Sequence, residues 1–185
     1  MAMGLVLLAL MSIGHITAIE LSKWSEQHDM DGHVEYSQYI AKNHALPNPR
    51  AGWTTYHPPL FYLFTQPFGP LRNARNVFAR DVRWANSLLF GSLFLVCMLS
   101  IARSLRLGKM ASLLVAGFLM TLPSVVQLFT SFNNDAMATG LTALATLSAL
   151  KFYQAKRRRA VVAWGILVVV AGTLALYAKF SSLWS

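Results

Sequence analysis

The sequence predicts an all-α multi-span membrane protein, with about five transmembrane helices and interfacial helices in one long outer loop. Three observations carry that prediction. Of 185 residues, 55% are hydrophobic and only 12% are charged, which is too little charge to cover a water-facing surface, since soluble domains carry about a quarter. Mean hydropathy is accordingly +0.45. The apolar residues gather into stretches near the ~20 residues that cross a bilayer. The formal charge of +9 is concentrated between those stretches rather than spread along a groove. One cysteine, seven prolines and eleven glycines exclude a disulfide scaffold and collagen.

Taken in order, residues 2–19 form the first apolar stretch, interrupted by Ser12, His15 and Thr17. A cleaved signal peptide is the alternative, but no basic segment leads it and the small-residue site near Thr17 and Ala18 is poor. Residues 20–83 make the outer loop. Residues 84–102, 110–132, 136–150 and 160–178 are the remaining spans. Each is expected to be helical, because lipid offers no partner for open backbone groups. The fourth carries Ala138, Gly140, Ala143, Ala145 and Ser148, small residues that suit close helix packing.

Loop charge gives the orientation. Arg103, Arg106 and Lys109 follow span two; Lys151 and the run Lys156, Arg157, Arg158 and Arg159 follow span four. Basic residues in short loops stay in the cytoplasm, so the N-terminus lies inside, and residues 20–83, the Asn133-Asn134 turn and the C-terminus lie outside. Six of the seven acids fall between Glu20 and Asp81, and the seventh is Asp135; all share the outer face. A basic chain with pI about 10.1 is in this case not a nucleic-acid binder. The Lys156–Arg159 run sets orientation and offers a contact to anionic lipid.

The outer loop is too long to be a plain connector. Residues 29–43 read as a helix, closed by Pro47 and Pro49. Asp29, His33, Tyr36 and Ile40 share one face of it, with Asp31 and Glu35 on the other. An aromatic-faced helix at a membrane surface is expected to lie in the interface with that face toward the bilayer. Pro58-Pro59 favours an extended segment and then a helix start, so residues 60–68 make a short apolar helix ended by Gly69-Pro70.

Those residues carry a resemblance. The string Asp29-Met30-Asp31-Gly32-His33-Val34-Glu35-Tyr36, then Leu46-Pro47, then Tyr56-His57-Pro58-Pro59-Leu60-Phe61-Tyr62, resembles the first periplasmic or lumenal loop of GT-C superfamily glycosyltransferases, the multi-span enzymes related to protein O-mannosyltransferases and the aminoarabinose transferase of lipid A. Arg83 at the start of span two, Asn133-Asn134-Asp135 and Lys179-Phe180-Ser181 are similar to the same pattern. Many relatives have Asp-Glu where this chain has Asp29-Met30; Asp31 then supplies the second carboxylate or is itself the counterpart. GT-C enzymes are much longer, so the resemblance implies that residues 1–185 are the N-terminal part of a larger transmembrane domain, inactive alone.

The resemblance implies an enzyme that moves a sugar from a polyprenyl-phosphate donor to a protein, lipid or glycan acceptor on the outer face of the plasma membrane, with inversion. A phosphate leaves as a stable anion, so no general acid is needed, unlike in glycoside hydrolysis. One carboxylate as base on the acceptor suffices, with cations to hold the phosphate. Asp29 is the expected base and Asp31 the second candidate. Asp135, Lys179, Arg83, His33, Tyr36 and His57 are the expected donor- or acceptor-binding residues. A divalent metal is compatible with this reading and not required by it. Each residue also has a plainer account: helix capping for Asp29, Asp31 and Asp135, snorkelling for Lys179 and Arg83, hydrogen-bonded packing for the histidines, and an interfacial belt for Tyr36. The alternatives for the whole chain are a multi-span transporter or a non-catalytic membrane protein that binds lipid or a partner.

Overall fold

The computed structural model describes residues 2–22 and 29–180. Of the residues singled out above, Ser181 lies outside that range. All regular elements among the described residues are helical. α1 (Ala2–Leu21) precedes α2 (Met30–Asn43), α3 (Leu60–Phe64) and a 3₁₀ turn (Gln66–Phe68). α4 (Arg75–Ala85), a π-helical stretch (Asn86–Gly91) and α5 (Ser92–Ser104) run on as one 30-residue helix. α6 (Lys109–Thr121), α7 (Pro123–Thr130), α8 (Asp135–Gln154) and α9 (Arg158–Ala178) complete the order.

Among the described residues two helices are long and apolar enough to cross a membrane, Arg75–Ser104 and Arg158–Ala178, and the α6–α7 pair makes a third if its halves count as one span. That is fewer than the five expected. α1 contributes a shorter apolar helix, Ala9–Leu21. α8 has the length at 20 residues, but its Ala, Thr and Gly content makes it less apolar, and it packs along α5 and α9.

The third stretch is not the continuous helix expected over 110–132. It bends by 66° between α6 and α7. Pro123 is the cause: it lacks an N–H for the preceding turn and pushes the residue before it out of helical geometry. Leu122 sits at φ −62°, ψ 130°, and Pro123 opens α7. The second stretch also starts earlier than expected. Residues 75–83 are helix rather than outer loop, because Phe78, Ala79 and Val82 are buried on one side while Arg80 and Asp81 stay outside.

The outer-loop helices form as the sequence indicates. α2 ends at His44, in the left-handed region at φ 51°, and Gly69 at φ 69° ends the 3₁₀ turn. The orientation of α2 differs from expectation. Its aromatic face packs on the protein rather than standing ready for lipid: Met30, Val34, Tyr36 and Ile40 join Phe61, Tyr62, Phe78 and Phe132 in one buried cluster. The polar tips on that face find partners there, which lets them be buried at little cost. Gly32 marks how close the approach is, since a Cβ on it would meet Thr54 Cγ2 at 2.4 Å.

α8 sets the long axis. Small residues let its neighbours close in, with a Cβ on Gly140 falling 3.1 Å from the Phe90 carbonyl. Its first residue, Asp135, lies beside α2 and the start of α7. Its last, Gln154, donates to the Ser104 carbonyl at 3.2 Å, which brings both basic clusters to the other end of the helix.

Candidate functional site

A cavity of about 260 Å³ opens between the N-terminus of α2, α7 and the α7–α8 turn, lined by Asp29, His33, Ser124, Gln127, Leu128, Ser131, Asn133 and Asp135. Two carboxylates from distant parts of the chain therefore face one space.

Asp29 is the residue before α2, at φ 64°, and its side chain makes no capping bond to the helix, while its backbone carbonyl takes the His33 N–H at 3.2 Å. The capping account does not describe it. A left-handed backbone costs a non-glycine residue about 1 kcal/mol, least for Asp and Asn. Asp135 does not cap α8 in the ordinary way either. Asn133 Oδ1 accepts from the Ala136 N–H at 3.3 Å, and Asp135 Oδ1 accepts from Lys179 Nζ. Lys179 thus reaches inward to a carboxylate rather than outward, with its side chain 25% exposed. Asn134 ties the same corner together, donating to the Ala178 carbonyl at 2.9 Å.

His33 is 4% exposed. Its Nδ1 pairs with the Tyr62 hydroxyl at 2.8 Å. Burial, then the charges of His57 and Lys179, hold its pKa down to about 3, so it is neutral at physiological pH. His57 stacks on His33 with ring centroids 5.5 Å apart. Its pKa is lowered by burial and by Lys179, against the opposing pull of Asp135 and Asp29; it belongs to the same electrostatic group without lining the cavity. Tyr36 donates to the His57 carbonyl at 3.3 Å and stacks on Tyr62 at 3.7 Å. Burial raises the pKa of both tyrosines. Tyr36 positions His57 and does not reach the cavity.

Two expected site residues lie elsewhere. Asp31 pairs with Arg75 at 2.9 Å with its side chain 65% exposed, on the side of α2 away from Asp29. Arg83 is 2% exposed and is committed to other groups: Nε donates to the Thr130 carbonyl at 2.6 Å, and Nη2 to the Ala18 carbonyl at 2.6 Å and Ser22 Oγ at 2.7 Å. It neither snorkels nor faces the cavity; it holds the ends of α1, α4 and α7 together.

Sequence reasoning misses the wall from α7. Ser124, Gln127 and Ser131 are spaced three and four apart, one polar face of a helix, and Pro123 announces its start. Among the described residues no three His, Cys, Asp or Glu side chains converge as a metal-binding set. The arrangement offers two carboxylates, one tethered ammonium, a neutral imidazole and a hydroxyl-and-amide wall. That inventory suits a ligand rich in hydroxyl groups. Compared with protein-family models, curated proteins and solved structures, the chain matches none.

Proposed function

We propose that this chain forms part of a GT-C-like membrane glycosyltransferase that moves a sugar from a polyprenyl-phosphate donor to an acceptor on the outer face of the membrane. The observation that carries the reading is the shared cavity of Asp29 and Asp135, with Lys179 bound to Asp135. Asp29 is the general base on the acceptor hydroxyl, Asp135 and Asn133 orient hydroxyl groups, and Lys179 is the cation beside the leaving phosphate. His33 stays neutral and lines the wall, and His57 stacks against it. Inversion follows if the acceptor attacks opposite the phosphate in one step.

Five spans remain the proposed topology, with α8 crossing between α5 and α9 and α1 crossing at the edge of the bundle against α6 and α7. The position of the cavity at one end of α8 and of both basic clusters at the other supports an outer site and a cytoplasmic charge cluster.

Membranes from cells expressing the whole enzyme of which this chain is proposed to be a part, supplied with a radiolabelled polyprenyl-phosphate sugar, test the reading. Transfer to an endogenous acceptor is expected. Asp29→Asn should lower turnover by about 10²–10⁴ while donor binding changes little. Full turnover by Asp29→Asn would remove the base assignment, and failure to transfer from any such donor would remove the reaction.

The 66° break between α6 and α7 favours a second reading, since transporters build sites at broken helices. A transporter would carry a labelled solute across proteoliposome walls without consuming a donor.

A further inference from the structure

We propose that Asn86 is a positioning residue for this cavity: from the π-helical stretch it holds the backbone of residues 131–133 and, through that turn, the Asp135–Lys179 pair. The inference rests on the reading of the cavity as the reacting site.

Asn86 has 0% exposure. Its Nδ2 donates to the Ser131 carbonyl at 2.9 Å and the Asn133 carbonyl at 3.2 Å. An amide has two donor hydrogens, and both are engaged on one turn. Its Oδ1 meets no protein partner. A fully buried polar side chain with an unmet acceptor is costly, so tethering the turn is what its presence secures. Both carbonyl partners belong to residues that line the cavity.

The turn transmits the hold in both directions. Asn133 Oδ1 meets the Ala136 N–H at the start of α8, next to Asp135. Asn134 Nδ2 meets the Ala178 carbonyl, next to Lys179. Three residues before Asn86 on the same helix, Arg83 holds the Thr130 carbonyl at 2.6 Å. The chain from 130 to 133 is therefore pinned from one helix, and the next two residues carry the hold on, Asn134 to Ala178 beside Lys179 and Asp135 to Lys179 itself. π-helical stretches recur at functional sites, and this one begins at the residue that does the pinning.

Peptide-resolved labelling of lysines with a water-soluble amine reagent, on the protein in lipid nanodiscs, tests it. Asn86→Asp sets acceptor oxygens against two carbonyls, Asn86→Ala removes the tether, and Asn86→Ser keeps one hydroxyl donor. Lys179 labelling is expected to rise about tenfold in Asn86→Asp, less in Asn86→Ala, and to stay near wild type in Asn86→Ser. Lys42, Lys109 and Lys151 should keep their rates. Unchanged Lys179 labelling in both Asn86→Asp and Asn86→Ala would overturn the proposal. So would a parallel rise at every lysine, which marks a general loosening. If Asn86→Asp does not fold, the Ala and Ser variants carry the comparison. Sugar transfer by the whole enzyme carrying the same substitutions separates the two readings: a selective Lys179 response in a whole enzyme that transfers no sugar would sink the transferase reading alone, and transfer without that response would sink this one alone.

Discussion

His33 titrates near 6.5 in an unfolded chain and near 3 in its place against Tyr62. The folded state thus keeps it neutral, and the sign of its contribution follows. Above about pH 6.5 both states are neutral and the contribution is fully present. As pH falls from 6.5 toward 3, the unfolded chain takes a proton that the folded one refuses, and stability drops by up to about 1.4 kcal/mol per pH unit. The apparent melting temperature in nanodiscs should fall between pH 7 and pH 5. His33→Gln, which can still bond the Tyr62 hydroxyl, should flatten that fall; an equally steep fall in the variant would assign it to other groups. Asp29 gives a second prediction at this scale. Its φ of 64° is tolerated by Asn but strained for Ala, so Asp29→Ala should cost about 1 kcal/mol by denaturant unfolding where Asp29→Asn costs little. That difference makes Asn the cleaner probe of the base.

Gly32 governs the seat of α2. With Thr54 Cγ2 only 2.4 Å from where a Cβ would stand, Gly32→Ala must push α2 and the segment at Thr54 apart. We expect a loss of about 1–3 kcal/mol in denaturant unfolding, whereas Gly172→Ala, with nothing within 4 Å, should be near neutral. A neutral Gly32→Ala would mean that the contact relaxes freely. The elements most legible in the sequence were those bounded by strong local signals. Pro58-Pro59 and Gly69-Pro70 delimit α3 and its 3₁₀ turn, and the spacing of His33, Tyr36 and Ile40 gives the inward face of α2. What covers that face was not legible, because an aromatic stripe reads the same whether lipid or Phe61 and Phe132 lie against it. The start of α4 was hidden by Arg75, Arg80, Asp81 and Arg83, whose charge resembles a loop. The α6–α7 break was legible at Pro123, but a continuous apolar run masked it. For the site, Asp29, His33, Asp135 and Lys179 come together as a set, whereas the loss of Asp31 to Arg75 and of Arg83 to backbone carbonyls depends on distant partners that no local pattern encodes.

Over the whole molecule, charge and polarity are sorted along α8. The cavity, with Asp29 and Asp135, lies where α8 begins, and the basic clusters Arg103–Lys109 and Lys151–Arg159 meet where it ends, joined by Gln154 and Ser104. A 20-residue helix rises about 30 Å at 1.5 Å per residue, close to the hydrocarbon thickness of a bilayer. One molecule thus presents its cavity carboxylates and its two basic clusters about a membrane apart, and the end with the basic clusters should remain in the cytoplasm. Cysteine accessibility tests this directly. The one native cysteine, Cys97, is buried, so single cysteines can be read against a quiet background. In intact cells or spheroplasts, a membrane-impermeant thiol reagent should label Arg72→Cys and Ser124→Cys from the outside and should spare Lys156→Cys until the membrane is opened. Labelling of position 156 from outside, or equal labelling at all three positions, would reverse or abolish the proposed orientation. It would also move the Asp29–Asp135 cavity away from any donor presented on the outer leaflet, because the cavity and the basic clusters cannot change sides independently while α8 connects them.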